Sequence, residues 1–201
     1  MSKRLTTLRA AAAAIATLLP TAAWAHPGHG AAVGFVHGFV HPVTGIDHVL
    51  AMVAVGMFAA KLGGRALWAV PLTFVSVMAL GGALGVAGIG VPFVEAGIAI
   101  SVIVLGLAVA LRWQWPVAAA MALVGVFAIF HGHAHGAEMP VDASGLEYGL
   151  GFMLATALLH AVGIGLGLGI ARFGRTTSPR VVQISGTAMA VAGVGILTGF
   201  I

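Results

Sequence analysis

The sequence contains no cysteine, so disulfide bonds and thiolate metal sites are both excluded. Charge is also scarce, because only 7% of the 201 residues are Asp, Glu, Lys or Arg, whereas 60% are hydrophobic. No GxxxxGK[ST] phosphate-binding loop occurs, which excludes ATP hydrolysis by that route. A soluble domain of this size needs more charge on its surface, so the composition predicts a chain that lies in a lipid bilayer.

Apolar segments of about twenty residues, the length that crosses a bilayer core, recur along the chain. They predict an all-α integral membrane bundle of six transmembrane helices. The first helix is expected to be broken near His41-Pro42, because proline removes a backbone hydrogen bond. The fourth helix can continue to Glu138. The expected segments are 33–60, 66–87, 92–111, 115–131, 146–171 and 181–201.

Residues 1–25 are typical of a secretory signal peptide. Lys3, Arg4 and Arg9 form a basic start, a short apolar run follows, and Ala23-Trp24-Ala25 has the small-x-small pattern of a cleavage site. The alternative is an uncleaved first helix. Cleavage would leave residues 26–201 as one six-helix transmembrane domain.

The remaining basic residues predict the orientation of this domain. All of them fall in the connections after helices one, three and five, which the positive-inside rule assigns to the cytoplasm. We therefore predict a protein of the bacterial inner membrane whose mature N- and C-termini are both periplasmic, and no nucleic-acid partner. These residues are Lys61, Arg65, Arg112, Arg172, Arg175 and Arg180.

Histidines form a first group in the first helix. His37, His41 and His48 would fall, with Met52, within about 60° of one another on a continuous helix. Asp47 precedes His48 and could bind a metal directly or orient a neighbouring imidazole. The alternative is a set of solvated histidines at the membrane surface.

A second group follows the fourth apolar segment. His131, His135 and Glu138 are spaced i, i+4 and i+7, so they share one helix face, whereas His133 points elsewhere. The alternative is a hydrated loop. Ionisable side chains in lipid cost about 3 kcal/mol each on insertion scales, which favours a function for both groups.

Imidazole with added carboxylates suits divalent first-row metals. Mg²⁺ and Ca²⁺ prefer mostly oxygen ligands and are disfavoured, while Ni²⁺, Co²⁺, Zn²⁺ and Cu²⁺ all remain open. Five further residues are secondary candidates: His26, His29, Glu95, His133 and His160. His26 and His29 have the alternative of a polar tail. Glu95 has that of helix-dipole compensation, and His160 that of packing.

The stretch from His41 to His48, His-x₅-Asp-His, resembles the HupE/UreJ family of nickel and cobalt permeases. The stretch from Phe130 to Glu138, FHGHAHGAE, is similar to the second motif of that family. The resemblance extends over essentially the whole chain. It implies uptake of Ni²⁺ or Co²⁺ for metalloenzyme maturation or cobamide synthesis. It assigns the metal site to His37, His41, Asp47, His48, His131, His135 and Glu138.

We therefore predict secondary transport of Ni²⁺ or Co²⁺ and no prosthetic group. A periplasmic metal donor or a second copy of the chain would be a further partner. The alternative is a membrane metal sensor or chaperone that binds without translocation. An enzyme is disfavoured, because HExxH and GxSxG are both absent. Since protons compete with metals for imidazole nitrogens, uptake should fall in acid.

Overall fold

The computed structural model describes residues 30–111, 115–140, 143–172 and 178–201. These residues form seven α-helices and no strand, which confirms the all-α class. The predicted signal peptide, His26 and His29 lie outside the described residues. The helices are α1 Gly30–Thr44, α2 Ile46–Leu62, α3 Ala66–Val86, α4 Val94–Ala110, α5 Val117–Ala137, α6 Gly145–Ala171 and α7 Ser178–Leu197.

Four of these helices, α3, α5, α6 and α7, are long and apolar enough to cross a membrane. The helices α1 and α2 meet that criterion together as one bent pair, and α4 is apolar but has only 17 residues. Large apolar side chains such as Leu72, Leu80 and Ile184 are 57%, 66% and 69% exposed, as expected for a surface that faces lipid. The chain is therefore an integral membrane bundle, and the count of six spans stays a prediction.

The break in the first predicted helix lies at Gly45. Pro42 is inside α1, and the two helices meet at an angle of 81°, with Gly45 in an extended conformation. The break is thus present but three residues later than predicted. The bend separates His37 and His41 on α1 from His48 and Met52 on α2, so the single stripe, which holds only for a continuous helix, is wrong.

The helix α2 runs through the centre of the bundle. Almost every residue from 51 to 59 is buried, and this central part of the helix is apolar on all sides, as expected for a helix surrounded by others. It packs mainly on α6, while α3 packs on α5 and α4 on α7. This arrangement places the start of α2 between the end of α5 and the middle of α6.

The two ends of the bundle differ in charge. At the end of α2, the Lys61 ammonium donates hydrogen bonds to the carbonyls of Ala108 (2.9 Å) and Val109 (3.2 Å) at the C-terminus of α4. A cation there compensates the partial negative charge of the helix terminus. The start of α2, with Asp47 and His48, lies at the opposite end of the bundle.

Candidate metal site

Three imidazoles meet at one end of the bundle. His48 lies in the first turn of α2, and His131 and His135 lie on one face of the last turns of α5. Nδ1 of His48 is 3.1 Å from Nδ1 of His131 and 3.0 Å from Nε2 of His135. All three side chains are buried, with exposed fractions of 4%, 0% and 6%. The two histidine motifs are therefore brought together in space.

A hydroxyl group orients the ring of His131. The Ser101 hydroxyl donates its hydrogen to the carbonyl of Ile98 at 2.6 Å, so its oxygen must accept from Nε2 of His131 at 2.8 Å. A neutral imidazole carries one N–H. The hydrogen of His131 is thereby assigned to Nε2, and Nδ1 presents a lone pair to His48.

A second hydroxyl contacts His48. The Thr156 oxygen lies 3.4 Å from Nε2 of His48 and 3.6 Å from the sulfur of Met78, and its one hydrogen can be donated to either atom. Since Nδ1 of His131 is unprotonated, the 3.1 Å contact between the two Nδ1 atoms is either a hydrogen bond from His48 or a contact between two lone pairs. In both cases the neutral cluster offers unprotonated imidazole nitrogens to a cation.

A cavity of about 260 Å³ lies over the three imidazoles. Three carboxylates line it together with these rings and with His41, so the cavity offers both nitrogen and oxygen ligands. The carboxylates belong to Asp47, Glu95 and Glu138.

Asp47 and Glu95 each lie in the first turn of a helix, α2 and α4 respectively. The Oδ1 atom of Asp47 accepts a hydrogen bond of 2.7 Å from the backbone N–H of His48. This contact fixes the backbone of a cluster histidine, and it compensates the helix dipole. Both carboxylates also line the cavity. Each can therefore compensate a helix dipole and contribute to the site at the same time.

His41 and Glu138 form the outer wall of this cavity. Nε2 of His41 is 2.8 Å from Oε2 of Glu138, and the His41 ring packs edge-on against His135 at 4.9 Å between centroids. Both residues also line a second cavity of about 290 Å³, in which the exposed His37 and the buried Tyr148 lie. His37 is thus on the approach to the cluster rather than in it.

Two other histidines lie apart from the cluster. Nε2 of His133 contacts the carbonyl of Ile89 at 2.9 Å, in agreement with its predicted direction away from the shared face. His160 is buried deeper in the bundle and lines neither cavity.

Sequence reasoning missed Ser101 and Thr156 as parts of the site. Their signal was a single hydroxyl in the apolar stretch of a predicted span, and the sequence does not reveal which side chain it contacts. Both side chains are fully buried, and both contact a cluster histidine.

The cluster is not a finished coordination site. Among the described residues, no group of three or more His, Asp or Glu side chains is already arranged to hold a metal ion. Tetrahedral nitrogens bound at about 2.1 Å to a metal lie about 3.4 Å apart. The separations of 3.0 and 3.1 Å must therefore widen by a few tenths of an ångström, and the rings must turn toward a common point.

Fold and site together define a polytopic α-helical membrane protein with a buried histidine cluster beneath a carboxylate-lined cavity. Residues 13–196 match the sequence model of the family described as HupE / UreJ protein, so the chain belongs to this family. It is 47% identical over 198 residues to Protein HupE of Rhizobium leguminosarum bv. viciae, with 98% of each chain covered. No solved structure matches it.

Proposed function

We propose that this protein is a secondary transporter that takes up Ni²⁺ or Co²⁺ across the bacterial inner membrane. The observation that carries the proposal is the meeting of three buried imidazoles, in which Nδ1 of His48 lies 3.1 Å from Nδ1 of His131 and 3.0 Å from Nε2 of His135. A second proton on any of these rings would create a buried imidazolium, which is costly in apolar surroundings. A divalent metal binds neutral imidazoles directly through their unprotonated nitrogens.

The ligand chemistry supports a transition metal over Mg²⁺ or Ca²⁺. Imidazole nitrogens dominate the buried part of the cavity, whereas Mg²⁺ and Ca²⁺ require mostly oxygen ligands. Affinity alone would favour Cu²⁺ over Ni²⁺. We assign Ni²⁺ or Co²⁺ through membership of the family, and Zn²⁺ and Cu²⁺ are the competing ions to test.

The residues form a path from the surface to the cluster. His37 and the His41–Glu138 pair would receive the ion in the outer cavity and exchange its water for protein ligands. Asp47 and Glu95 would supply negative charge in the inner cavity. The ion would then separate the rings of His48, His131 and His135 and bind between them.

The membrane potential can drive this uptake. A divalent cation that moves down an inside-negative potential releases about 4.6 kcal/mol per 100 mV, at about 2.3 kcal/mol per unit charge. The proposal places the cavity end of the bundle in the periplasm and the connection with Lys61 and Arg65 in the cytoplasm. In this orientation the histidine cluster receives ions from outside, after removal of a signal peptide at residues 1–25.

Flux into liposomes tests the proposal. Purified protein in vesicles with an inside-negative potential should accumulate radioactive Ni²⁺ or Co²⁺, and metal analysis should find the ion bound to the protein. Binding without flux would support the sensor or chaperone instead. Absence of both would contradict any metal function.

The hydroxyl of Thr156 offers a sharper prediction. Replacement by valine keeps the shape but removes the hydroxyl that contacts Nε2 of His48, so the ring is no longer held with Nδ1 toward the other two imidazoles. Loss of a group that orients a metal ligand costs about 10–100-fold in affinity. Titration of the Thr156→Val variant with Co²⁺ should show this loss, whereas Thr156→Ser should bind nearly as the parent does. Equal affinity of the valine variant would contradict an orienting role for the Thr156 hydroxyl.

A further inference from the structure

Tyr148 is a buried tyrosine beside the outer cavity, and the site described above makes no use of its hydroxyl. The side chain is 2% exposed, and the hydroxyl has no hydrogen-bond partner among the described residues. Buried polar groups are normally paired, and an unpaired one costs about 1–3 kcal/mol. Phenylalanine would fill the same space without that cost, so the hydroxyl is expected to have a partner in another state of the protein.

Close packing holds Tyr148 in place. It lies in the first turn of α6, and a Cβ atom at Gly38 of α1 would overlap its carbonyl oxygen. Its ring packs against Phe152 at 6.1 Å between centroids, and Phe152 packs in turn against His135 at 5.4 Å. Backbone and ring are both held, so a partner has to move to the hydroxyl rather than the reverse.

The surroundings of Tyr148 indicate which partner that is. The residue lines two cavities, and the larger, of about 380 Å³, has no charged side chain among its described lining residues. The other is the outer cavity, where Glu138 is the acidic side chain among the described lining residues. The Glu138 carboxylate is close enough to act electrostatically on the phenol group.

Glu138 contacts His41 instead of Tyr148 in this structure. Its Oε2 atom lies 2.8 Å from Nε2 of His41, whereas Oε1 has no hydrogen-bond partner among the described residues. The Glu138 side chain is 54% exposed, so it has room to turn. Because His41 and Glu138 line both cavities, an ion that moves from the outer to the inner cavity passes this pair.

We propose that Tyr148 is a positioning residue for Glu138. When the metal ion separates Glu138 from His41, the Tyr148 hydroxyl donates its hydrogen to the carboxylate and holds it toward the ion. This inference rests on the proposed transport function. Carboxylates that bind metals are themselves hydrogen-bonded, and loss of such a partner costs about 10–100-fold in affinity or activity.

The outer cavity is large enough for this step to take place there. Its volume is about 290 Å³. A divalent ion with about six waters occupies roughly 180 Å³, since one water takes about 30 Å³. Glu138 can therefore bind the ion while most of its water shell is still present, before the ion reaches the buried imidazoles.

The concentration dependence of flux tests this role. Tyr148→Phe removes one oxygen atom and leaves the ring packing intact. The Co²⁺ concentration that gives half-maximal flux into liposomes should rise by about tenfold, because capture in the outer cavity is weakened. The maximal flux and the equilibrium affinity of the buried cluster should stay within about twofold of the parent, because the cluster is unchanged. The thermal unfolding midpoint should not decrease, since an unpaired hydroxyl is removed.

Two further variants show whether Tyr148 acts through Glu138. Glu138→Ala leaves no carboxylate to position, so the addition of Tyr148→Phe to this variant should not change its flux further. Thr73→Val is the matched control, because its hydroxyl already donates to the carbonyl of Ala69 at 2.8 Å and lines neither the inner nor the outer cavity. Its half-saturating concentration should equal that of the parent.

The outcomes against the proposal are distinct. A parental half-saturating concentration in Tyr148→Phe would overturn it. A lower unfolding midpoint in Tyr148→Phe would also overturn it, because the hydroxyl would then be structural, and so would an undiminished effect of Tyr148→Phe in the Glu138→Ala variant. A parent protein that neither binds nor carries the ion would instead refute the proposed function on which this inference rests.

Discussion

Replacement of His48 by alanine is expected to abolish metal uptake. Nδ1 of His48 is the atom that contacts both other imidazoles of the cluster, and its ring also contacts Thr156. Its removal leaves two imidazoles at some distance from each other on α5 and opens a space between α2 and α5. Since loss of an orienting group alone costs about 10–100-fold in metal affinity, loss of this ligand should exceed 100-fold. Co²⁺ titration and radiometal flux in liposomes measure the effect.

The control for this variant is His133→Ala. It removes an imidazole from the same helix as His131 and His135, but from a side chain that contacts the carbonyl of Ile89 instead of the cluster. Its uptake should match that of the parent. Uptake by His48→Ala at the parental rate would refute the assignment of the site.

Replacement of Gly132 by alanine is expected to disrupt the fold around the site. A Cβ atom at this position would overlap the carbonyl oxygen of Met78 and would lie 2.8 Å from the backbone N of Gly82. These are backbone atoms of α3, so no side-chain rotation relieves the overlap and the two helices must separate. Overpacking in a core destabilises a fold by about 1–3 kcal/mol. Because this overlap involves backbone atoms, we expect a loss of stability at or above the upper end of that range. Gly132 lies beside His131, so Co²⁺ binding should be lost along with thermal stability.

The matched control is Gly125→Ala in the same helix. A Cβ atom there meets the Cγ2 atoms of Thr73 and Val77 at 3.7 and 3.9 Å, which is ordinary van der Waals contact. Its unfolding midpoint in detergent should equal or exceed that of the parent, because alanine favours the helix. A Gly132→Ala protein as stable as Gly125→Ala would contradict the close packing of α3 on α5.

The helices were predictable because lipid imposes a simple rule on the sequence. Each span must be a long apolar run, and basic residues lie at or between the ends of these runs. The second expected segment, 66–87, accordingly agrees with Ala66–Val86, and the fourth continues to Ala137 as expected. The position of the break in the first helix was less predictable. Proline breaks helices more strongly than glycine does, yet Pro42 lies inside α1 and the chain bends at Gly45.

The members of the cluster were predictable for a different reason. Buried imidazoles are costly, so clustered histidines in apolar helices indicate a shared site, and His48, His131 and His135 do meet. Their arrangement within the site was not predictable. A continuous helix would have placed His37 on the same face as His48, whereas the 81° bend leaves His37 in the outer cavity.

The sequence by itself determined that the chain is a helical membrane protein and which residue types can bind a metal. Both properties depend on composition and on spacing within single helices, which a linear chain displays directly. Only the tertiary structure decided which nitrogen atoms face each other, that Ser101 and Thr156 contact two of the rings, and that the Phe74 ring packs against both His131 and His160. These contacts join helices far apart in the chain, and the packing of α2 against α5 and α6 creates them.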